Sequence, residues 1–293
     1  MKAAMIGMMM VCLGTVMGSG DALATQVDLY LLGGQSNMDG RALSQDLPAA
    51  LQTAEAAIPV YVNGGWQNLQ PGLNYDRNSA WFGPEVTFGR DIAAATGRNV
   101  ALVKYAVGST TLADEWHAPD ANGQGAGLCY TGFMTSVNAA RASFGPDVQV
   151  TIRGMVWMQG ETDAWYQDPA RANAYEQNLT AFIASVRSDL KVADLPFIIG
   201  RISPSWNWSG GGHGAIVRQA QYDVSQTVAN TLMINTDDLE LNPDLAHYST
   251  SGQLLLGSRF AEAMVAIPEP TTLGILGLGG GFILGQRKRR HAE

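Results

Sequence analysis

Stretches typical of buried strands alternate with stretches typical of helices through most of this chain. Apolar, strand-like runs lie at residues 27–33, 100–106, 148–158, 196–201 and 231–235. Between them, amphipathic or alanine-rich stretches predict helices at residues 84–96, 132–144, 169–190, 214–229 and 251–264. Strands that alternate with helices build a mostly parallel sheet with helices on both faces. The sequence therefore predicts an α/β fold, with long aperiodic segments at residues 42–81 and 112–130 as functional loops or small insertions.

The first 24 residues have the features of a secretory signal peptide. Lys2 precedes an apolar, methionine-rich stretch, and residues 22–24 (Ala-Leu-Ala) form a small-x-small cleavage site. We therefore expect an exported protein whose mature chain begins near Thr25.

The last 26 residues, 268–293, combine three features in order. Pro-Glu-Pro at 268–270 precedes an uncharged stretch at 271–285, and four basic residues follow at 287–290. The uncharged stretch is shorter than the roughly 20 residues that usually span a bilayer, and the basic cluster favours a cytoplasmic end. This order resembles the PEP-CTERM sorting signal, which implies processing by an exosortase-type membrane enzyme and delivery to the surface or matrix of a Gram-negative bacterium. The alternative is a permanent tail anchor.

The core between these ends, residues 25–267, is acidic. It holds 13 Lys and Arg against 23 Asp and Glu, a net charge of −10. Such a charge argues against nucleic acid or an anionic membrane surface as the partner. Cys129 is the one cysteine of the core, so we expect no disulfide within it. The surrounding sequence has no zinc-ligand spacing, and we expect neither a metal nor another cofactor.

The candidate nucleophile is Ser36, within residues 33–38 (Gly-Gly-Gln-Ser-Asn-Met). Because this stretch follows the first apolar run, Ser36 is expected at the carboxyl end of a buried strand, where α/β sheets bind ligands. A serine hydroxyl there acts as a nucleophile if a base approaches it. The alternative is a serine that only caps the next helix.

Three further segments hold candidate catalytic groups. Asp244 lies three residues before His247, so that the acid can orient the base. Gly108 follows a predicted strand, where its N–H can approach a substrate oxygen. Gln159 and Glu161 lie in residues 157–163 (Trp-Met-Gln-Gly-Glu-Thr-Asp), again after a strand, and a glutamine amide can donate to an oxyanion. The acids of this segment can instead be structural residues at a helix start.

These segments, in this order, resemble the SGNH hydrolase superfamily, and most closely its carbohydrate acetylesterase branch with sialate O-acetylesterase-like proteins. The resemblance covers about residues 27–265. It implies a three-layer α/β/α sandwich, flavodoxin-like, with a short parallel sheet. It also implies Ser36 as the nucleophile, His247 as the base, and the Ser36 N–H, Gly108 N–H and Gln159 side chain as oxyanion donors.

The resemblance leaves the acid open, since either Asp244 or Glu161 can orient His247; we favour Asp244. The expected function is hydrolysis of acetyl esters on an exported carbohydrate. One alternative is a non-catalytic carbohydrate-binding or matrix protein. Another is a lipid-directed esterase, but the sequence has no long apolar segment that would form a lid over a lipid. Five tryptophans are candidate sugar-stacking residues: Trp66, Trp81, Trp116, Trp206 and Trp208.

Overall fold

A computed structural model describes residues 24–165, 169–205 and 212–268 of the chain. Almost all of the predicted signal peptide and sorting signal, together with Trp206 and Trp208, lies outside these residues. In chain order the described strands are β1 (Thr25–Gly34), β2 (Ala42–Leu43), β3 (Glu55–Val62), β4 (Gly65–Leu69), β5 (Trp81–Phe82), β6 (Val100–Ala106), β7 (Val148–Met158), β8 (Phe197–Gly200) and β9 (Thr231–Ile234).

Seven of these strands form one sheet in the order β4-β3-β6-β1-β7-β8-β9. Every neighbouring pair is parallel except β3 and β4, which form an antiparallel hairpin at the edge. The two short strands β2 and β5 pair separately. The central strand β1 is buried over its last seven residues, as expected for a strand with helices on both faces.

The described helices are α1 (Ser36–Asp39), α2 (Ala49–Gln52), α3 (Glu85–Thr96), α4 (Leu128–Ala142), α5 (Glu161–Trp165), α6 (Ala170–Leu190), α7 (Gly214–Thr227) and α8 (Thr250–Ala266), with a 3₁₀ turn at Ser44–Asp46. In the described part of the chain, none of them is long and apolar enough to cross a membrane.

Aromatic contacts show that the helices cover both faces of the sheet. Trp157 of β7 packs against Phe182 of α6, with ring centroids 4.5 Å apart. Tyr30 of β1 packs against Phe88 of α3 at 5.8 Å. Tyr30 is in register with Gly154, an odd number of residues from Trp157, so these two contacts lie on opposite faces. The predicted three-layer α/β/α fold with a mostly parallel sheet is confirmed.

The segment at residues 42–81, predicted as loop or insertion, contains the hairpin of β3 and β4. Its turn is Asn63-Gly64, where both residues are left-handed, with φ of 53° and 83°. An Asn-Gly pair suits a two-residue hairpin turn because both positions need positive φ. The strands themselves show no clean alternation, and Pro59 further weakens the strand pattern in β3.

The carboxyl ends of the three central strands meet at one edge of the sheet. Gly34 of β1 is in register with Ala106 of β6 and with Met158 of β7. The backbone is closely packed where the chain exits β1. A Cβ at Gly34 would lie 2.1 Å from the Met158 carbonyl oxygen, and the φ of Gly34 is +150°. Only glycine fits there. The residues after these strands therefore converge on a single site.

Candidate active site

Ser36 is the first residue of α1 and lies directly beyond β1, mostly buried but not enclosed. Its Oγ lies 3.0 Å from Nε2 of His247. This is the reach that a general base needs to take a proton from a hydroxyl. Gln35 precedes the helix without capping it through its side chain, and the Ser36 hydroxyl faces the histidine.

His247 is held on its other side by Asp244. The two are joined by Nδ1 and Oδ2 at 2.7 Å, so the row of serine, histidine and aspartate is continuous. The other carboxylate oxygen of Asp244 accepts the backbone N–H groups of Ala246 and His247 at 2.9 and 3.0 Å. A single turn thereby fixes both the acid and the imidazole.

The environment of Asp244 keeps its carboxylate ionised. Partial burial raises the pKa of Asp244, but the hydrogen bonds from the His247 backbone, the His247 ring and the Ala246 backbone outweigh burial. The pKa of Asp244 therefore lies below its ordinary value of 3.8. An ionised acceptor at Nδ1 leaves the lone pair on Nε2, the atom that faces Ser36.

Glu161, the second candidate acid, lies behind this row. It is 1% exposed, and its Oε1 accepts a hydrogen bond of 2.7 Å from Nδ2 of Asn37. Asn37 also donates to the Ala246 carbonyl and accepts the Tyr248 N–H, so it joins α1 to the histidine loop. Within the described residues no hydrogen bond joins Glu161 directly to His247. Glu161 therefore supports the site through Asn37.

Burial also sets the charge state of Glu161. Loss of solvent raises the pKa of Glu161 above its ordinary value, although the Asn37 hydrogen bond acts in the opposite direction. Its Oε2 has no hydrogen-bond partner among the described residues. A buried carboxyl with one unsatisfied oxygen favours the neutral form.

Gly108 lies close to Ser36. A Cβ at this position would lie 3.7 Å from Cβ of Ser36 and 3.1 Å from Nη2 of Arg41. The next residue, Ser109, is left-handed with φ of 60°. The absence of a side chain leaves the space beside Ser36 open, which fits a backbone donor for a developing oxyanion.

Gln159 does not fit its predicted role as an oxyanion donor. Its Nε2 donates to Oδ2 of Asp163 at 2.6 Å and to the Thr110 carbonyl at 3.1 Å. Its Oε1 accepts the Tyr175 hydroxyl, and the side chain has no exposed surface. Both amide hydrogens are thus used within the protein, and none is directed at a substrate.

Asp163, which the sequence offered only as a structural acid at a helix start, explains this arrangement. Its carboxylate accepts the N–H groups of Leu112 and Ala113 as well as the Gln159 amide. Burial raises the pKa of Asp163 to about 6 despite these hydrogen bonds. Gln159 and Asp163 therefore tie the loop that carries Gly108 to the end of β7. An acid four residues after the glutamine was visible in the sequence, but its partner loop was not.

Arg41 also lies near the site and was not predicted from the sequence. Nη1 donates to Asp39 at 2.7 Å and Nη2 to Asp76 at 2.9 Å. Its guanidinium lies 4.5 Å from the centre of the Trp81 ring. Arginine stacks on an aromatic face while it keeps its planar hydrogen bonds. Arg41 thus forms a fixed wall beside Gly108.

The predicted sugar-stacking tryptophans divide into different environments. Trp116 is fully buried, donates to Thr110 and packs against Trp157, so its prediction as a sugar-stacking surface is wrong. Trp66 donates to Ser143 and packs between Tyr61 and Phe144. Trp81 is partly exposed beneath Arg41.

No group of three or more metal-ligating side chains occurs within residues 24–165, 169–205 and 212–268.

Comparison with known proteins identifies the family. The sequence profile described as "Carbohydrate esterase, sialic acid-specific acetylesterase" matches residues 26–266. The chain belongs to this family. It is therefore an esterase, and a carbohydrate esterase by family.

Individual relatives agree with this assignment. The chain is 25% identical over 256 residues to a probable carbohydrate esterase of Arabidopsis thaliana, across 81% of this chain and 90% of that protein. The solved structure of an Arabidopsis thaliana protein has a TM-score of 0.67 at 24% identity, covering 83% of this chain and 98% of that one. A carbohydrate acetylesterase from Xanthomonas citri has a TM-score of 0.60 at 22% identity, with 80% of this chain and 55% of that one covered. These two structures share the fold.

Proposed function

We propose that this carbohydrate esterase removes acetyl groups from a carbohydrate through a covalent acyl-serine intermediate. The observation that supports the proposal is the continuous hydrogen-bonded row of Ser36, His247 and Asp244, with atom separations of 3.0 and 2.7 Å. A nucleophile, a base and an orienting acid in this geometry are the parts that acyl transfer from an ester requires.

The reaction begins when Oγ of Ser36 attacks the acetyl carbonyl carbon while Nε2 of His247 takes the hydroxyl proton. The negative charge that forms on the carbonyl oxygen lies in the open space beside Gly108, where backbone N–H groups of Ser36 and Gly108 are the donors at hand. The imidazolium then gives its proton to the sugar oxygen as the ester bond breaks, and the deacetylated sugar leaves.

The second half repeats these steps with water. His247 takes a proton from water, the resulting hydroxide attacks the acetyl carbon, and Oγ of Ser36 leaves with the proton from Nε2. The products are acetate and free enzyme. Asp244 stays ionised throughout and stabilises the charged imidazole, as its lowered pKa allows.

The test of this proposal is the Ser36→Ala variant. We expect kcat for p-nitrophenyl acetate to fall by about 10⁴ to 10⁶ while the circular dichroism spectrum and melting temperature stay close to those of the parent. Ser143→Ala is the control, since Ser143 contacts Trp66 on another part of the surface. Wild-type turnover by a pure Ser36→Ala protein would exclude the nucleophile, and an inactive parent would favour a carbohydrate-binding protein.

We also propose that the enzyme acts outside the inner membrane. The support is sequence-based: a signal peptide at residues 1–24 and a tail at 268–293 that resembles a sorting signal cut by an exosortase-type enzyme. Mass spectrometry of the mature protein from its native host tests this. We expect peptides that begin near Thr25 and end near Pro268–Pro270. An intact C-terminal peptide that ends at Glu293 in the surface-exposed protein would exclude cleavage of the tail and favour permanent anchoring.

A further inference from the structure

We propose that a glycan-binding groove leads from the Ser36 side of the sheet across the turn of the β3–β4 hairpin. It would take the sugar residues next to the acetylated one, so that the substrate is an oligosaccharide or polysaccharide chain. The inference rests on the proposed acetylesterase function and deepens it. Two adjoining cavities carry it, and neither contains a residue of the Ser36, His247 and Asp244 row.

The first cavity lies at the edge of the sheet that carries Ser36. Its volume is about 260 Å³, and its lining includes Asp39, the last residue of α1, and Ala106, the last residue of β6. Ser36 begins the same short helix, and Gly108 follows Ala106 by two residues. The cavity therefore opens at the edge of the sheet that holds the nucleophile.

The second cavity continues in the direction away from Ser36. Its volume is about 420 Å³, and it shares Val62, Asn63, Gly64 and Arg77 with the first cavity. Beyond these shared residues it is lined by Trp66, Gln67 and Gln70, among others. Because the shared residues belong to the hairpin turn and the loop facing it, the two cavities form one path across the turn.

The side chains along this path have the chemistry that sugars need. A sugar ring has apolar C–H faces and hydroxyl edges, and aromatic rings with amide groups match both. Tyr75 is 50% exposed and packs edge-to-face on Tyr105, with ring centroids 6.5 Å apart. Gln67 and Gln70 each offer a donor and an acceptor on the same amide. The volumes are close to the roughly 300–1,000 Å³ of small-molecule clefts.

Arg77 lies where the two cavities meet. Its backbone is left-handed with φ of 54°, a conformation that is unfavourable for a residue other than glycine. Backbone strain of this kind tends to accumulate at functional sites. It also permits a clean variant, because Arg77→Gly removes the guanidinium and suits the existing backbone.

The experiment is calorimetric titration of the Ser36→Ala protein, which holds acetylated ligands without turning them over. The probes are acetylated xylo-, manno- and cello-oligosaccharides, from single sugars to hexasaccharides. We expect the affinity to increase with chain length in at least one series. Arg77→Gly is expected to lower the affinity for the longer ligands by about tenfold. Affinity independent of length in all three series would overturn the groove.

Lys191→Gly is the matched control for Arg77→Gly. Lys191 is also a basic residue in a left-handed conformation, with φ of 59°, but it ends α6 and lines neither cavity. The control is expected to bind every probe as the parent does, and equal affinities for the two variants would also overturn the groove. Binding measured by titration does not depend on turnover. An inactive parent enzyme would therefore count against the acetylesterase proposal, while the titration would still test the groove.

A second pair of variants tests the far end of the path. Gln67 lines the second cavity, whereas its exposed neighbour Asn68 on β4 does not. Gln67→Ala is expected to weaken only the longest ligands, by about threefold to tenfold, and Asn68→Ala to leave all affinities unchanged. Weaker binding in Asn68→Ala but not in Gln67→Ala would contradict this path.

Discussion

Two carboxyl groups lie near His247 in opposite environments. Asp244 belongs to an exposed turn, contacts the imidazole at 2.7 Å, and has a pKa below its ordinary value. Glu161 begins α5 at the buried end of β7, reaches the histidine loop only through Asn37, and has a pKa raised by burial. Both belong to motifs that the family resemblance connects with the histidine. The comparison teaches that hydrogen bonding and solvation, rather than membership of a motif, decide which carboxylate is the charged partner of His247 and which supports the loop from behind.

The whole segment at the end of β7 is a buried support, like Glu161. Gln159, Glu161 and Asp163 are each at least 99% buried, and the contacts of all three are within the protein. The segment thus holds two loops in place: the Gly108 loop through Asp163 and the His247 loop through Asn37. Contacts of this kind fix the positions of Gly108 and His247 relative to Ser36.

The largest expected effect separates the two acids at once. Asp244→Asn should lower kcat for an acetyl ester by about 10² to 10⁴. The new Oδ1 still accepts the Ala246 and His247 backbone N–H groups, so the turn remains. The amide nitrogen of the new asparagine, however, donates to Nδ1 of His247, so the ring proton moves to Nε2. A protonated Nε2 cannot accept the proton of the Ser36 hydroxyl. Steady-state kinetics on p-nitrophenyl acetate measure this loss.

Asp120→Asn is the matched control for that variant. Among the described residues the Asp120 carboxylate likewise accepts two backbone N–H groups, from Asn122 and Gln124, and contacts no histidine. Its kcat should equal that of the parent. A loss of similar size in Asp120→Asn would mean that the turn, rather than the histidine partner, accounts for the effect of Asp244→Asn.

An intermediate effect concerns the pH dependence of stability at the buried end of β7. The pKa of Asp163 is about 6 in the folded protein, against an ordinary value of 3.8 that applies to the unfolded chain. The folded protein therefore holds this proton more tightly, and the contribution to stability is fully present below about pH 4 and lost as the pH rises through about 6. The loss amounts to roughly 3 kcal/mol at most.

Urea unfolding of the parent and of Asp163→Asn at pH 4 and pH 7.5 tests this expectation. The parent should lose stability relative to the variant as the pH rises, because the variant has no proton to release. Asp120→Asn is the control. Hydrogen bonds lower the pKa of Asp120 in the folded protein, so its contribution to stability changes mainly below pH 4 and should differ little between the two pH values. A difference between the parent and Asp163→Asn that stays constant with pH would contradict a raised pKa at Asp163.

Much of the fold was predictable from the sequence because apolar runs and helical periodicity alternate strongly from β6 onward. The hairpin of β3 and β4 was missed, since a short edge hairpin has little pattern beyond its Asn-Gly turn. The start of α4 was also placed late, at residue 132 instead of Leu128, because Leu128 is 84% exposed and the glycines before it resemble a loop. Element boundaries on exposed surface carry the weakest sequence signal.

In the candidate site, too, some residues were predictable from the sequence and others were not. Ser36, Gly108, Asp244 and His247 were predicted from short motifs, and the structure brings all four together. Their catalytic roles stay predictions until the variants are measured. The fixed positions of Gln159 and Arg41 were not predictable, because their partners lie on distant segments, at Thr110, Asp163 and Asp76. Spacing along the chain does not reveal which amide hydrogens are already used.

The smallest expected effect belongs to Glu161→Gln, which replaces the buried carboxyl group by a neutral amide of nearly the same shape. Oε1 of the new amide can still accept from Nδ2 of Asn37, so the link to the histidine loop persists. The amide nitrogen replaces Oε2, an oxygen that has no partner among the described residues. We therefore expect kcat on the same acetyl ester to change by less than about tenfold, far less than in Asp244→Asn. A fall as large as that of Asp244→Asn, in a variant that melts at the parent temperature, would transfer the role of orienting His247 to Glu161.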